Sequence, residues 1–341
     1  MKRILVIKVT SLGDVVEALP VVADIRRAFP GVSVDWAVDE SFADVVRWNA
    51  GVDRVLCAPL RRFKRARGGG DLLEIVRAIR DLRAERYDAV IDIHGVYKSA
   101  IIARLARARR RFGYRADDLG ERGAAFAYNG RFGPRPDCDA WHGMRVSAGE
   151  ALGYAVDTPP DFGLRVPRDG EPALPPPDGP VALLFHATSK DEKKWPVEHW
   201  GALGRELTAR GLRIELPWGS DAERATAADI AALVPDAAVL PRLSVRQLAR
   251  RIEDASLVVG ADTGFVHLAH ALMKPTVMVF VATSPFHCGV AAPGRSISVG
   301  DGVCVPSVAQ VLDAVERVRD GRRDETSTQP GNVVPLFITA A

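Results

Sequence analysis

The stretch VIKVTSLGDVVEALP (residues 6–20) decides how the chain is read. Its apolar strand pattern ends at Lys8, and a short polar turn with one glycine follows. An apolar helical pattern begins after the lone carboxylate Asp14. A strand that runs through a tight turn into a helix is the repeating element of a parallel, helix-covered sheet.

Outward from that turn the succession repeats. Strand candidates are RILVIK (3–8), VSVDWAV (32–38), DRVLCA (53–58) and YDAVIDI (87–93), with helical periods around 15–28, 40–49, 71–85 and 97–108. VPRDGEPALPPPDGP (166–180) is too rich in proline and glycine to continue a helix or central strand, and reads as an interdomain linker. A second series has strands VALLFHA (181–187), LRIELPW (212–218), AAVLP (237–241), SLVVGA (256–261) and TVMVFVA (276–282). Its helices fall near 196–210, 220–233, 244–253, 264–273 and 307–319. The expectation is two doubly wound, Rossmann-like α/β domains, residues 1–165 and 181–320, facing a central cleft, with a frayed tail over 321–341.

Composition sets the outer limits. The 341 residues are 47% apolar, enough for two cores, and no 18-residue uncharged apolar run reads as a membrane span. The start, MKRILVIKVTSLGD, has too short an apolar run and no cleavage pattern, so it reads as a first strand rather than a signal peptide. Cys57, Cys138, Cys288 and Cys304 are far apart, lack metal-ligand spacing, and read as free thiols of a reducing cytoplasm. The net charge is only +3, but residues 1–170 hold 29 Lys/Arg against 23 Asp/Glu. The excess concentrates in RRFKRARGGG (61–70) and ARARRRFGYR (106–115). Such clusters suit a solvated face, nucleic acid or an anionic lipid surface. Base-stacking aromatics are sparse beside them, which argues against nucleic acid.

In open α/β sheets, ligands bind beyond the carboxyl ends of the strands, which selects the turns 9–14, 94–98, 186–194, 218–223 and 261–267. In the first, Gly13 permits close backbone approach, and Asp14-Val-Val-Glu17 matches a capping box. Asp14 therefore fits a helix cap or a catalytic carboxylate, and spacing leaves both roles open. Pro20 would remove a hydrogen bond to Val16 inside that helix. No G-x-G-x-x-G is present, so a nicotinamide site lacks its phosphate turn. In HGVYKSA (94–100), Lys98 opens a helix at the same sheet edge, as a solvated lysine or a cation for an acidic acceptor. HATSKDEKKWP (186–196) sets the hydroxyls of Thr188 and Ser189 beside Lys190, Lys193 and Lys194, a combination suited to a diphosphate. In GADTGFVHLAHAL (260–272), Asp262, Thr263 and Gly264 turn into a helix whose first amides favour an anion, with His267 one turn on. No His/Asp/Glu group has metal-ligand spacing, so neither a metal nor a cofactor is expected.

These blocks, SLGDVVEALP (11–20), YDAVIDIHGVYKSA (87–100), HATSKDEKKWPVEHW (186–200), LPWGSDAER (216–224) and ADTGFVHLAHAL (261–272), resemble the lipopolysaccharide heptosyltransferases over roughly residues 1–320. The HATSKDEKKWP block is similar to type I members rather than type II. The resemblance implies a GT-B fold with an acceptor-binding N-terminal domain and an ADP-heptose-binding C-terminal domain. It implies inverting transfer of L-glycero-D-manno-heptose from ADP-heptose to a Kdo residue of Kdo2-lipid A. A type II or later-acting core heptosyltransferase is the alternative, and a nucleotide-sugar epimerase a more distant one.

By the same resemblance Asp14 is the catalytic carboxylate and Lys193 assists it. Thr188, Ser189, Lys193, Glu223, Asp262, Thr263, Gly264 and His267 hold the donor, and Lys98 and Gly13 face the acceptor. The enzyme is then cytoplasmic, held peripherally at the inner face of the inner membrane, with no nucleic-acid partner. Glu17 and His94 stand where the family often has histidine and glutamine, and GERG (120–123) is the nearest match to its arginine–glutamate pair.

Overall fold

A computed structural model describes residues 1–58, 69–170, 174–188 and 190–321. The basic run at 61–67, Ser189 and the tail beyond 321 lie outside the described residues. The chain divides between Arg165 and Val166 into two compact units, each built around its own parallel sheet.

The first unit contains β1 (Arg3–Ile7), β2 (Ser33–Asp39), β3 (Arg54–Ala58), β4 (Tyr87–Asp92), β5 (Ala108–Gly113) and β6 (Gly130–Arg131). They lie in the order β3-β2-β1-β4-β5-β6, every pair parallel. Ile4, Leu5, Val6 and Ile7 of β1 are fully buried. Helices cover both faces of such a strand, which is why it reads as an unbroken apolar run rather than an alternation. The chain winds outward from β1 to β3 and then crosses back to place β4 beside β1. The winding direction therefore reverses between β1 and β4, and crevices for ligands form at such reversals, beyond the carboxyl ends.

The second unit repeats the plan with β7 (Val181–Phe185), β8 (Arg213–Leu216), β9 (Ala238–Val239), β10 (Leu257–Ala261), β11 (Thr276–Val279) and β12 (Ser296–Val299). Its order is β12-β11-β10-β7-β8-β9, again all parallel, with the reversal between β7 and β10. Trp200, Leu203 and Leu207 of the helix Val197–Ala209 and Val311, Ala314 and Val315 of the helix Val308–Arg319 join its core. The proline-rich segment is pinned to this unit: Arg250 Nε donates to Pro167 O at 2.8 Å and Arg251 Nη1 to Pro175 O at 3.1 Å.

Several elements differ from the sequence reading. The single helix expected around 15–28 is two, Leu12–Ala18 and Pro20–Ala28. Pro20 is the first residue of the second, where its missing N–H costs no helical hydrogen bond. The expected helix around 40–49 is a 3₁₀ turn, Glu40–Phe42, and the short helix Ala43–Arg47. β5, β6, β12 and the helices Ala140–Leu152 and Pro285–Cys288 were not anticipated. β5 reads ARRRFG and is only partly buried, so it lacks the apolar run that marks a central strand. The helix Ala140–Leu152 is anchored by charge: Arg145 Nε and Nη2 donate to both Asp24 oxygens at 2.7 and 2.9 Å.

Candidate active site

In the first unit, Lys8 follows β1 and its carbonyl accepts from the buried Trp36 Nε1 at 3.1 Å. Ser11 caps the helix Leu12–Ala18, Gly13 is buried in its first turn, and Asp14 is its third residue. The capping box expected from Asp14 to Glu17 is therefore displaced: Asp14 is the inner partner, not the cap. One Asp14 oxygen accepts from Ser11 N–H at 3.0 Å and Ser11 Oγ at 2.7 Å. The other lies 3.1 Å from Lys8 Nζ. The Lys8 side chain is 9% exposed and that of Asp14 38%, so the pair is rooted below the surface and its acid end is open. Burial pushes the Asp14 carboxyl up, but the Lys8 charge and the Ser11 hydrogen bonds outweigh it and hold the group below the usual carboxylate value. A nearly buried ammonium is costly without a partner. Helix capping alone gives no reason for one beneath Asp14.

Across the reversal, β4 ends in the fully buried Asp92, which accepts from Tyr128 Oη at 2.7 Å and from the N–H groups of His94 and Gly95 at 3.0 and 3.3 Å. Those bonds hold a turn in which Gly95 adopts φ +79°, a left-handed conformation that favours glycine. His94 is thereby set within range of the charges on Lys8, Asp14 and Lys98. Burial and Lys8 push its imidazole down to about 4 against the pull of Asp14, so the ring is neutral near pH 7. Among the described residues its buried Nδ1 has no hydrogen-bond partner. Lys98, exposed, is the second residue of the helix Tyr97–Leu105, whose first N–H donates to Glu121 of the GERG segment at 2.5 Å.

The first unit thus brings together Asp14, Lys98 and two groups the sequence reading did not assign, Lys8 and His94. The available signal for Lys8 was a lysine ending an otherwise apolar strand.

In the second unit, Thr188 and Lys193 follow β7, while Asp262, Thr263, Gly264 and His267 follow β10. Thr188 Oγ1 donates to Asp262 O at 3.2 Å. Lys193 Nζ donates to Asp262 Oδ2 at 2.7 Å, and His267 Nε2 lies 3.8 Å from Oδ1. Burial raises the Asp262 carboxyl, but His267 and Lys193 more than reverse this and keep it ionised. Thr263, not Asp262, is the N-cap of the helix Gly264–Ala271, and it makes no side-chain capping bond. Val266 N–H donates to the Thr263 carbonyl at 3.0 Å, and the N–H groups of Gly264 and Phe265 before it are not claimed by the cap, which suits an anion. Gly260 lets β10 approach closely, since a Cβ there would meet Val266 Cγ2 at 2.4 Å.

Glu223, in the first turn of the helix Asp221–Ala231, accepts from Gly219 N–H at 2.7 Å through its carboxylate. Its carbonyl oxygen is 3.0 Å from His186 Nε2, which ties that helix to the turn leading to Thr188. Chemically, the first unit offers an ionised, accessible proton acceptor beside cations. The second offers a lysine, a hydroxyl and helix amides grouped around one carboxylate. Among the described residues no helix is long and apolar enough to cross a membrane.

Comparison with known proteins gives a consistent answer. Residues 75–310 match glycosyltransferase family 9 (heptosyltransferase). The chain is 36% identical over 286 residues to lipopolysaccharide heptosyltransferase 1 of Escherichia coli K12, covering 83% of this chain and 89% of that protein. It is also 36% identical over 314 residues to the Pseudomonas aeruginosa protein of the same name, covering 89% and 85%. The solved structure of the E. coli heptosyltransferase WaaC with ADP matches with a TM-score of 0.81 and 31% identity, over 94% of this chain and 99% of that one. The two doubly wound sheets are those of the GT-B fold class. By family match and by identity across most of its length, the chain belongs to glycosyltransferase family 9, the heptosyltransferases.

Proposed function

We propose that the protein transfers L-glycero-D-manno-heptose from ADP-heptose to a Kdo residue of Kdo2-lipid A, with inversion, in lipopolysaccharide inner-core assembly. The identity to type 1 heptosyltransferases supports the substrates. The observation that carries the chemistry is the ionised, half-open Asp14 carboxylate fixed by Lys8 and Ser11. In this reading Asp14 takes the proton from a Kdo hydroxyl as that oxygen attacks the anomeric carbon. The bond from that carbon to the ADP oxygen breaks on the opposite face of the sugar, and the base carboxylate acts as in inverting glycosidases.

Negative charge builds on the departing diphosphate. Lys193, Thr188 and the first amides of Gly264–Ala271 stabilise it, Lys193 exchanging Asp262 for phosphate oxygens. Lys8 fixes the orientation of the base at some loss of basicity. Ser189, Glu223, Thr263 and His267 complete the donor side, and Lys98 and the Gly13 turn meet the acceptor. The protein works in the cytoplasm, held peripherally at the inner membrane that carries the acceptor.

The test is ADP release from ADP-heptose with and without Kdo2-lipid A. The reading requires release that depends on the acceptor and yields a heptosylated lipid. Sugar isomers, or ADP released at the same rate without acceptor, would replace it with an epimerase or hydrolase.

A further inference from the structure

The first unit carries a second basic site, across its sheet from Asp14. A cavity of about 540 Å³ opens where β4 and β5 begin, lined by Arg83, Arg86, Arg104, Arg107, Arg109 and Arg111. Because the strands are parallel, these amino ends lie opposite the carboxyl-end turns that hold Asp14 and His94. The run ARARRRFGYR is thereby split: Arg107 and Arg109 belong to this edge, and Arg115 lies beyond the far end of β5. Among the described residues Asp88 is the one carboxylate in the lining, and it is committed to the N–H groups of Lys2 and Arg3 at 2.5 and 3.1 Å.

Three of the arginines have structural roles. Arg83 Nη1 donates to Leu105 O at 2.9 Å and Arg107 Nη1 to Arg83 O at 3.2 Å. Arg111 donates to Ala103 O and Ala106 O at 2.9 and 3.1 Å. These bonds satisfy carbonyls at helix C-termini, where cations are favoured. They leave Arg86, Arg104 and Arg109 exposed, with no hydrogen bond or ion pair to their guanidinium groups among the described residues. Burial, and second to it the adjacent Arg104 charge, push Arg111 below the ordinary guanidinium value.

We propose that this cavity binds a phosphate-bearing polyanion, at a site separate from that of heptose transfer. Guanidinium forks take phosphate oxygens in pairs, and the volume lies within the range of about 300–1,000 Å³ usual for small-ligand pockets. The phosphates come from a soluble polyphosphate ester or from lipid headgroups. A headgroup bound here sits about 20 Å, the length of β4, from the edge that carries Asp14.

The experiment titrates inorganic triphosphate into the full chain with ADP in excess, and in parallel measures co-sedimentation with phosphatidylglycerol vesicles. Both arms compare the native protein with a variant carrying Arg104→Ser and Arg109→Ser. Saturable triphosphate binding that weakens at least about tenfold in the variant supports a soluble ligand, and the same loss confined to vesicles supports a headgroup. The transfer reaction and ADP affinity stay unchanged in the variant, which separates this site from the donor site. If the double variant loses its cooperative melt, Arg86→Ser carries the same comparison. Binding that is absent in both arms, or that changes less than about twofold on substitution, overturns the proposal.

Discussion

The Lys8 ammonium, nearly buried at the end of β1, lies 3.1 Å from the Asp14 carboxylate, which is open to solvent. The carboxylate is thus held from beneath by a charge and from its own helix start by Ser11, while its free face stays available to a hydroxyl. That arrangement fixes geometry and basicity together, so the two can be separated by changing Lys8 alone.

Lys8→Met removes the attraction that lowers Asp14 and leaves the burial that raises it. The ionised carboxylate is the active form, so activity is lost as pH falls through its folded pKa. In the native protein that loss lies below the usual 3.8. In Lys8→Met the acid limb of kcat/KM moves to higher pH. The same depressed pKa contributes stability above the unfolded value, and that contribution is lost as pH falls through the folded one. A pH–rate profile checks the shift; an acid limb that stays in place removes Lys8 from any control of the base.

Lys193→Ala weakens ADP binding, because a charge-assisted contact to the diphosphate is lost while Asp262 keeps its negative charge. The expected loss is about tenfold to a hundredfold in Kd. Calorimetric titration with ADP reads it directly. Affinity unchanged within about twofold takes the lysine out of the donor site.

Asp24→Ala strands the Arg145 guanidinium, whose side chain is 4% exposed against 2% for its partner. Removing one member of such a buried pair costs about 3–5 kcal/mol. Urea unfolding monitored in the first unit measures it. A loss below about 1 kcal/mol shows that Arg145 finds other partners, such as Thr158 O at 2.9 Å.

Strands were legible in the sequence wherever burial forced an apolar run; their order in the sheets was not. β1, β7 and β10, three of the four strands flanking the reversals, are nearly unbroken apolar runs and easy to read. β5 hid behind three arginines, and β6 is two residues long, too short for any periodicity. At the candidate site, the strand-end turns could be found by rule, but their partners could not. Lys193 and Asp262 are 69 residues apart and meet only because β7 and β10 are neighbours. Lys8 and His94 converge the same way through β1 and β4. Pro20 reads as lying inside a single helix at the cost of a hydrogen bond to Val16; that it starts a second helix instead depends on the break at Leu19, which local sequence does not mark.

The most direct measurement is turnover of Asp14→Asn with ADP-heptose and Kdo2-lipid A, alongside its ADP affinity. Asparagine keeps the size of the side chain and removes the proton acceptor. Turnover falls by about 10²–10⁴-fold while ADP affinity stays at the native value. Native turnover in that variant contradicts the assignment of Asp14 as the base.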